Sequence, residues 1–199
     1  MKIRRVTTGH SAQGKAVVIS DTEVEGHTFA LLPGAAFHRL WGADRLPEFP
    51  DAGCPPAYTD YFPPLGGFRF ATFTVAPQGG APLSPTDRQA LMTEIQTRLP
   101  GLAEHMERNS PGMHTTSTID FEYIVSGEVW LELDDGASVR LHAGDTVVQN
   151  GTRHAWRNRS SEPCHIVVFM LGVPRSPSGL EVARASCRTS DVRPCTPSD

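Results

Sequence analysis

The stretch that decides the fold begins Met113-His-Thr-Thr-Ser-Thr-Ile-Asp-Phe-Glu-Tyr-Ile-Val-Ser-Gly127 and continues as a run of short strands to Leu171. After Gly127, apolar residues recur at every second position as far as Leu133, which is the period of a half-buried strand. Asp134-Asp-Gly136 then predicts a hairpin, because aspartate and glycine tolerate the positive φ that such turns need. Short strands separated by close turns predict a mainly β sandwich or barrel.

Strand parity leaves open which side of the first of these strands is buried. The polar residues His114, Thr116, Asp120 and Glu122 occupy even positions, whereas the odd positions from 119 to 125 are apolar or aromatic. The simplest interpretation of an unbroken strand puts the odd set in the core and the polar set in water.

The composition describes a globular protein and excludes several classes of partner. A chain of 199 residues favours one domain, and a net charge of −4 gives no basic surface for nucleic acid. No apolar run approaches the roughly 20 residues that a membrane-spanning helix needs. The N-terminus lacks the apolar stretch of a signal peptide, and the four cysteines show no zinc-site spacing. We therefore expect a cytoplasmic protein without nucleic-acid or membrane partners.

The chain divides into four predicted segments. Residues 1–83 contain strand-like runs and a loop that extend the barrel, and residues 84–108 are helical. Residues 109–172 form the barrel core. Residues 173–199 are rich in Pro, Ser, Arg and Thr and are expected to be a flexible tail.

One helix is predicted from Ser84 to about Arg98. Ser84 offers an N-cap hydroxyl before Pro85, which suits the first turn of a helix. Large apolar residues then recur at a spacing of four, at Leu91, Ile95 and Leu99.

Two motifs in the second half of the chain resemble those of the cupin superfamily. The first motif maps to His114, Thr116, Asp120 and Gly127. The second maps to Gly144-Asp145 and Gly151-Thr-Arg-His-Ala-Trp-Arg-Asn158. The chain is most similar to small single-domain conserved-barrel cupins, some of them encoded beside secondary-metabolite pathways. This resemblance implies a double-stranded β-helix (jelly-roll) barrel with extra N-terminal strands and one or two short helices. It also implies a homodimer, because cupins commonly pair through their sheets.

The resemblance further implies a metal site, from which this sequence departs. Cupins usually offer three histidines and one glutamate, but Thr116 stands at the second histidine position and Asp120 at the glutamate position. A threonine hydroxyl is a poor ligand for Fe, Mn or Zn. The remaining candidates are His114, Asp120 and His154. They could form an Fe(II) facial triad, a three-ligand site for zinc or another divalent metal such as Mn or Ni, or a metal-free acid–base group.

A cupin interior is itself a pocket, so the resemblance implies that the even-numbered face of the strand points inward. Candidate substrate-binding residues are Thr116, Tyr123, Arg153, Trp156 and His38. Each also has a simpler interpretation: the aromatic side chains as core, Arg153 as half of a surface ion pair, and His38 as a structural residue.

The resemblance implies a small-molecule enzyme acting in the barrel pocket. The expected reactions are decarboxylation, isomerisation, cyclisation or dehydration of an organic acid or a polyketide-like aromatic compound. Glu122, Asp120 and His154 are the candidate catalytic residues, because carboxyl and imidazole groups can move the proton. The alternatives are an Fe(II)-dependent dioxygenase and a non-enzymatic cupin that binds a small ligand.

Overall fold

The computed structural model describes residues 2–55, 57–79 and 83–175, and these contain eleven β-strands, one α-helix and two short 3₁₀ helices. The α-helix α1 is Pro85–Arg98, and the 3₁₀ helices are Ala103–His105 and Asp134–Gly136. The strands are β1 (Lys2–His10), β2 (Ala16–Glu25), β3 (His27–Phe29), β4 (Leu32–Ala43), β5 (Phe68–Val75), β6 (Thr118–Ser126), β7 (Glu128–Glu132), β8 (Ser138–His142), β9 (Thr146–Gln149), β10 (Ala155–Arg157) and β11 (Cys164–Gly172). The predicted mainly β architecture is confirmed. Most of the predicted flexible tail lies outside the described residues.

The strands form three antiparallel sheets. The largest has six strands in the order β3-β4-β5-β11-β6-β9, and a second has the order β10-β7-β8. Strands β1 and β2 form a separate two-stranded sheet. The two larger sheets pack against each other through one apolar cluster, which consists of Ile124, Val129, Leu131, Leu141, Cys164 and Ile166. The site described below is built in the layer between these sheets.

The predicted helix is confirmed at both ends. The Ser84 hydroxyl oxygen accepts a hydrogen bond from the Asp87 amide, so the N-cap has the expected geometry. Leu91, Ile95 and Leu99 are buried, and they join a second core cluster together with Tyr61. This cluster closes one end of the six-stranded sheet. In the described part of the chain, no helix has the length and apolarity needed to cross a membrane.

Gly127 makes the turn from β6 to β7 at a position that only glycine fits. Its φ is 78°, in the left-handed region that side chains rarely adopt. A Cβ atom there would lie 2.5 Å from the carbonyl oxygen of Pro163. Because that obstacle is backbone rather than a flexible side chain, the neighbouring chain would have to move.

We expect Gly127→Ala to destabilise the protein by more than the about 1–2 kcal/mol that a left-handed residue costs by itself. The additional loss comes from the clash with Pro163. Gly136→Ala is the matched control, because Gly136 has a similar φ of 75° and open space around the position of its Cβ atom. Urea denaturation of both variants measures the difference, and an equal loss in the two would show that the Pro163 contact is unimportant.

Candidate active site

Strand β6 turns its even-numbered side chains inward. Asp120 is 4% exposed and Glu122 is 5% exposed, whereas Phe121 and Tyr123 on the other face are 47% and 48% exposed. The simple parity interpretation, with the odd set in the core, is therefore wrong for this strand. The reason is tertiary: on this face Asp120 and Glu122 lie beside Met170 and Val168 of β11, which belong to the core cluster that contains Tyr61.

Two carboxyl groups thus lie buried at neighbouring inward positions. Among the described residues neither takes part in an ion pair, and Asp120 Oδ1 and Glu122 Oε2 have no hydrogen-bond partner. Burial raises the pKa of Asp120 to about 6, although a hydrogen bond with Thr118 acts in the opposite direction. Burial also raises the pKa of Glu122, and the negative charge of Asp120 raises it further. At neutral pH the pair can therefore hold a proton between them.

The phenol of Tyr61 lies within electrostatic range of the carboxyl pair. Tyr61 is buried, and its pKa is raised first by burial and then by the charges of Asp120 and Glu122. Its hydroxyl group therefore stays protonated and can act as a hydrogen-bond donor. The residue sits in the loop before β5, so no local pattern around the motifs points to it.

The two motif histidines lie in contact at one end of this layer, with their rings tilted by 51° to each other. Backbone bonds of 3.0 Å run in both directions between His114 and His154, and their ring centroids are 4.1 Å apart. The His114 Nδ1 atom lies 3.0 Å from the Gly112 carbonyl oxygen, and His154 Nδ1 lies 2.9 Å from that of Thr152. Since a carbonyl only accepts, each Nδ1 carries the proton and each Nε2 keeps its lone pair.

Both imidazoles are electrically neutral near pH 7. Burial, and then the proximity of His114, lower the pKa of His154 to about 4. Burial also lowers the pKa of His114. The pair can therefore accept a proton but adds no fixed positive charge to offset the carboxylates.

Gln149 connects the carboxyl strand to the histidines. It is the cross-strand partner of Asp120, and its Nε2 atom contacts His154 Nδ1 at 3.0 Å without a hydrogen bond, because both nitrogens are donors in this tautomer. The same Nε2 donates to the Thr152 carbonyl oxygen at 3.1 Å. Gln149 was not among the site residues predicted from the sequence. The available signal was a polar residue at the end of a short strand, directly before the second motif.

Two of the predicted substrate-binding residues lie beside this group. Thr116 is buried, and its hydroxyl oxygen is 2.8 Å from that of Thr118. The Trp156 ring packs edge-on against His154, with centroids 6.1 Å apart. Trp156 also contacts the aliphatic core cluster, so it forms both the wall of the site and part of the core.

Three other predicted substrate-binding residues lie elsewhere. Arg153 donates to both carboxyl oxygens of Glu107, at 2.6 and 2.8 Å, and to Asp134 at 2.9 Å, so the surface ion-pair interpretation holds. Tyr123 is on the outer face of β6 because it alternates with Glu122. His38 lies on that same outer face. Across the sheet, His38 pairs with Thr72, Thr72 pairs with Val167, and Val167 pairs with Tyr123.

His38 has a structural role in the fold. It is 2% exposed, and its Nδ1 atom lies 3.2 Å from the Thr72 hydroxyl. A Cβ atom on Gly26 would come within 2.6 Å of the His38 ring, so the chain passes directly over it. The interpretation of His38 as a structural residue therefore fits its surroundings.

The predicted metal set of His114, Asp120 and His154 does not assemble. Within residues 2–55, 57–79 and 83–175, no three His, Cys, Asp or Glu side chains form a group that could hold a metal ion. The two imidazoles face each other, whereas Asp120 lies beside Glu122 on β6. At the second histidine position, the Thr116 hydroxyl is paired with Thr118. These donors do not fit a three-ligand centre, so no reaction step is assigned to a metal.

Comparison with known proteins agrees with the motif pattern. Residues 104–170 match the family model of the cupin domain. The chain is 47% identical over 58 residues to phomopsin biosynthesis cluster protein D of Diaporthe leptostromiformis, covering 29% of this chain and 31% of that protein. It is 44% identical over 50 residues to oryzines biosynthesis cluster protein J of Aspergillus oryzae, covering 25% and 28%. The chain thus spans less than a third of the length of these relatives.

Solved structures give more distant likenesses. A predicted oxalate decarboxylase from Thermotoga maritima has a TM-score of 0.40 and 14% identity, covering 75% of this chain and 94% of that one. A Cupin 2 conserved barrel domain protein from Salinispora arenicola has a TM-score of 0.37 and 19% identity, covering 70% and 78%. These likenesses are too distant to bear on function.

Proposed function

This chain carries a cupin domain at residues 104–170, and on that basis we propose that the interior of the domain is a small-molecule site that catalyses proton transfer. The observation that carries the proposal is the carboxyl pair of Asp120 and Glu122, which is buried without a cationic partner among the described residues. Such groups destabilise a fold, so their presence is typical of a functional site. Isomerisation, dehydration, cyclisation and decarboxylation all need a proton moved at carbon or oxygen.

The two carboxyl groups divide the acid and base roles. Because their charges repel, one carboxyl group stays protonated when the other is ionised. The protonated group donates to a substrate oxygen, and the ionised group removes a proton. Tyr61 and the neutral His154 Nε2 supply a hydrogen-bond donor and an acceptor to orient the substrate. Trp156 supplies an aromatic wall that excludes water.

The substrate class that best suits this interior is a polyketide-like or aromatic molecule. The aromatic wall at Trp156 favours a planar apolar ligand. The relatives named for phomopsin and oryzine biosynthesis clusters also support a role in small-molecule biosynthesis. An organic acid would enter as an anion and meet two carboxyl groups, so a neutral substrate or a protonated acid is favoured.

The proposal is tested by turnover of a panel of neutral aromatic β-hydroxy ketones and β-keto esters, followed by NMR. We expect Glu122→Gln and Asp120→Asn to lower kcat by about 10²–10⁴-fold, which is the usual contribution of a general acid or base. Glu162→Gln is the control, since the Glu162 side chain is exposed. Turnover that survives in both interior variants would contradict the proposal, and ligand binding without turnover would favour a non-enzymatic cupin.

The divalent metal and the dioxygenase alternative stay predictions that one assay decides. Elemental analysis of protein purified without chelators would give stoichiometric iron if the chain were an Fe(II) dioxygenase. The homodimer that the family resemblance implies also stays a prediction.

A further inference from the structure

A cleft of about 270 Å³ lies outside the barrel interior, where the β1–β2 hairpin meets β4 and the loop before β5. Its lining includes Arg5, Arg39, Trp41, Gly42 and Tyr58. None of the interior carboxyl or imidazole groups lines it. Its volume is slightly below that of sites for drug-sized ligands, so it suits a smaller molecule.

Two arginines in this cleft have no acidic partner among the described residues. Arg5 donates through Nη1 to the Leu40 carbonyl oxygen at 2.8 Å, while its buried Nε has no hydrogen-bond partner. Arg39 donates through Nη2 to the carbonyl oxygens of Tyr58 and Thr59, at 3.1 and 2.8 Å. Backbone carbonyls fix the orientation of both groups without neutralising them. The cleft therefore carries two uncompensated positive charges.

Other arginines close to the cleft are compensated. Arg69 donates to Asp44 at 2.6 Å, and Arg4 pairs with Asp21 at the same distance. The uncompensated charge is therefore specific to Arg5 and Arg39 rather than general to this end of the molecule.

Aromatic rings hold the two guanidinium groups in place. The Arg5 guanidinium carbon lies 5.4 Å from the Trp41 ring centroid, and that of Arg39 lies 4.4 Å from the Tyr58 centroid. Such stacking preorganises a guanidinium group, so less side-chain entropy is lost when a ligand binds. Glycine is needed at position 42, because a Cβ atom there would lie 2.7 Å from the Arg69 side chain and 2.8 Å from the Phe68 carbonyl oxygen, with the Tyr58 ring at 3.1 Å.

We propose that this cleft is a second ligand site, which binds a small molecule through its carboxylate group. A guanidinium group presents paired N–H donors that match the two oxygens of a carboxylate. Arg5 donates only through Nη1 among the described residues, so its Nη2 is the donor left for such a ligand. Its lining residues are distinct from those proposed for proton transfer in the interior, and the two sites meet only where the charge of Arg39 acts on Tyr61.

Calorimetric titration of the full chain with benzoate, and with benzamide as its neutral counterpart, tests this site. We expect saturable benzoate binding with a Kd of about 1 mM or below and no measurable benzamide binding. Arg5→Gln and Arg39→Gln should each weaken benzoate binding at least about tenfold, since each removes a charge-assisted hydrogen bond. Arg4→Gln is the matched control, because it removes the same charge from the same hairpin outside the cleft.

The outcomes are decisive in both directions. Absence of saturable benzoate binding, equal affinity for benzamide, or benzoate binding unchanged in both cleft variants would overturn the proposal. If Arg39→Gln does not fold, Arg39→Lys keeps the charge but loses the planar fork. Arg39→Lys should then bind benzoate several-fold more weakly than the wild type, and wild-type affinity in it would count against the site.

Discussion

Replacing Asp120 by asparagine is expected to stabilise the protein by about 3 kcal/mol near pH 8 and to change its stability little near pH 4. The folded-state pKa of Asp120 is about 6, against an ordinary value of 3.8. Between these values the folded state binds more protons than the unfolded state, so wild-type stability falls as pH rises through that window. Asparagine has nearly the same shape and cannot ionise, so it escapes this loss.

Urea denaturation of the variant and the wild type at both pH values measures the effect. Asp60→Asn is the matched control, because it makes the same substitution at an exposed side chain. Glu122→Gln should act in the same direction as Asp120→Asn, since burial raises the pKa of Glu122 as well. A variant less stable than the wild type near pH 8 would show that the Asp120 carboxylate has a partner that compensates its burial.

A substitution that both stabilises the protein and removes its activity would show that one carboxyl group destabilises the fold and takes part in catalysis. Asp120 and Glu122 destabilise the fold as ionised groups, and within the described part of the chain they lack the cation that usually accompanies a buried acid. Natural proteins keep such groups where the chemistry needs them, at a cost in stability. Loss of turnover together with a gain in stability is therefore the result that distinguishes a catalytic carboxyl pair from a merely structural one.

Local sequence signals predicted the elements whose causes are local. The helix α1 follows from the Ser84 cap and the spacing of Leu91 and Ile95, both of which act within a few residues. The hairpin at Asp134–Gly136 follows from turn chemistry in the same way, and Asp135 does adopt a positive φ of 56°. Long-range packing was not needed for either prediction.

The facing of β6 could not be decided locally, because both of its faces carry side chains that suit a core. Phe121 and Tyr123 remain half-exposed on the outer face, whereas Asp120 and Glu122 are buried beside residues distant in sequence, namely β11 and Tyr61. Only the family resemblance predicted that the polar face of β6 points inward. Parity alone gave the opposite answer, because it assumes that the more apolar face is the buried one.

Long-range pairing also explains the residues that were missed or misplaced. Gln149 reaches the site because β9 pairs with β6, a contact that no motif spacing encodes. Arg153 is next to a site residue in sequence but is drawn outward by Glu107 and Asp134, which belong to other segments. Neighbours in sequence diverge here because consecutive strand residues point to opposite faces.

His154 should make the protein sensitive to acid, in the opposite sense to Asp120. Its folded-state pKa is about 4, against an ordinary value of 6.5. Below pH 6.5 His154 binds a proton in the unfolded chain but not in the folded state, so stability is lost as pH falls towards 4. The loss from this one group is about 3 kcal/mol.

His154→Gln is expected to remove this acid-dependent loss. Glutamine cannot be protonated, so the difference in stability between variant and wild type should shift in the variant's favour by about 3 kcal/mol between pH 7 and pH 4. The change in that difference with pH is the readout, because lost packing against Trp156 lowers stability equally at every pH. The control His142→Gln removes an exposed imidazole and should show a much smaller change. A His154→Gln difference that stays flat with pH would mean that the wild-type ring takes up its proton in the folded state, and therefore that the imidazole pair opens to water instead of remaining a neutral, buried acceptor.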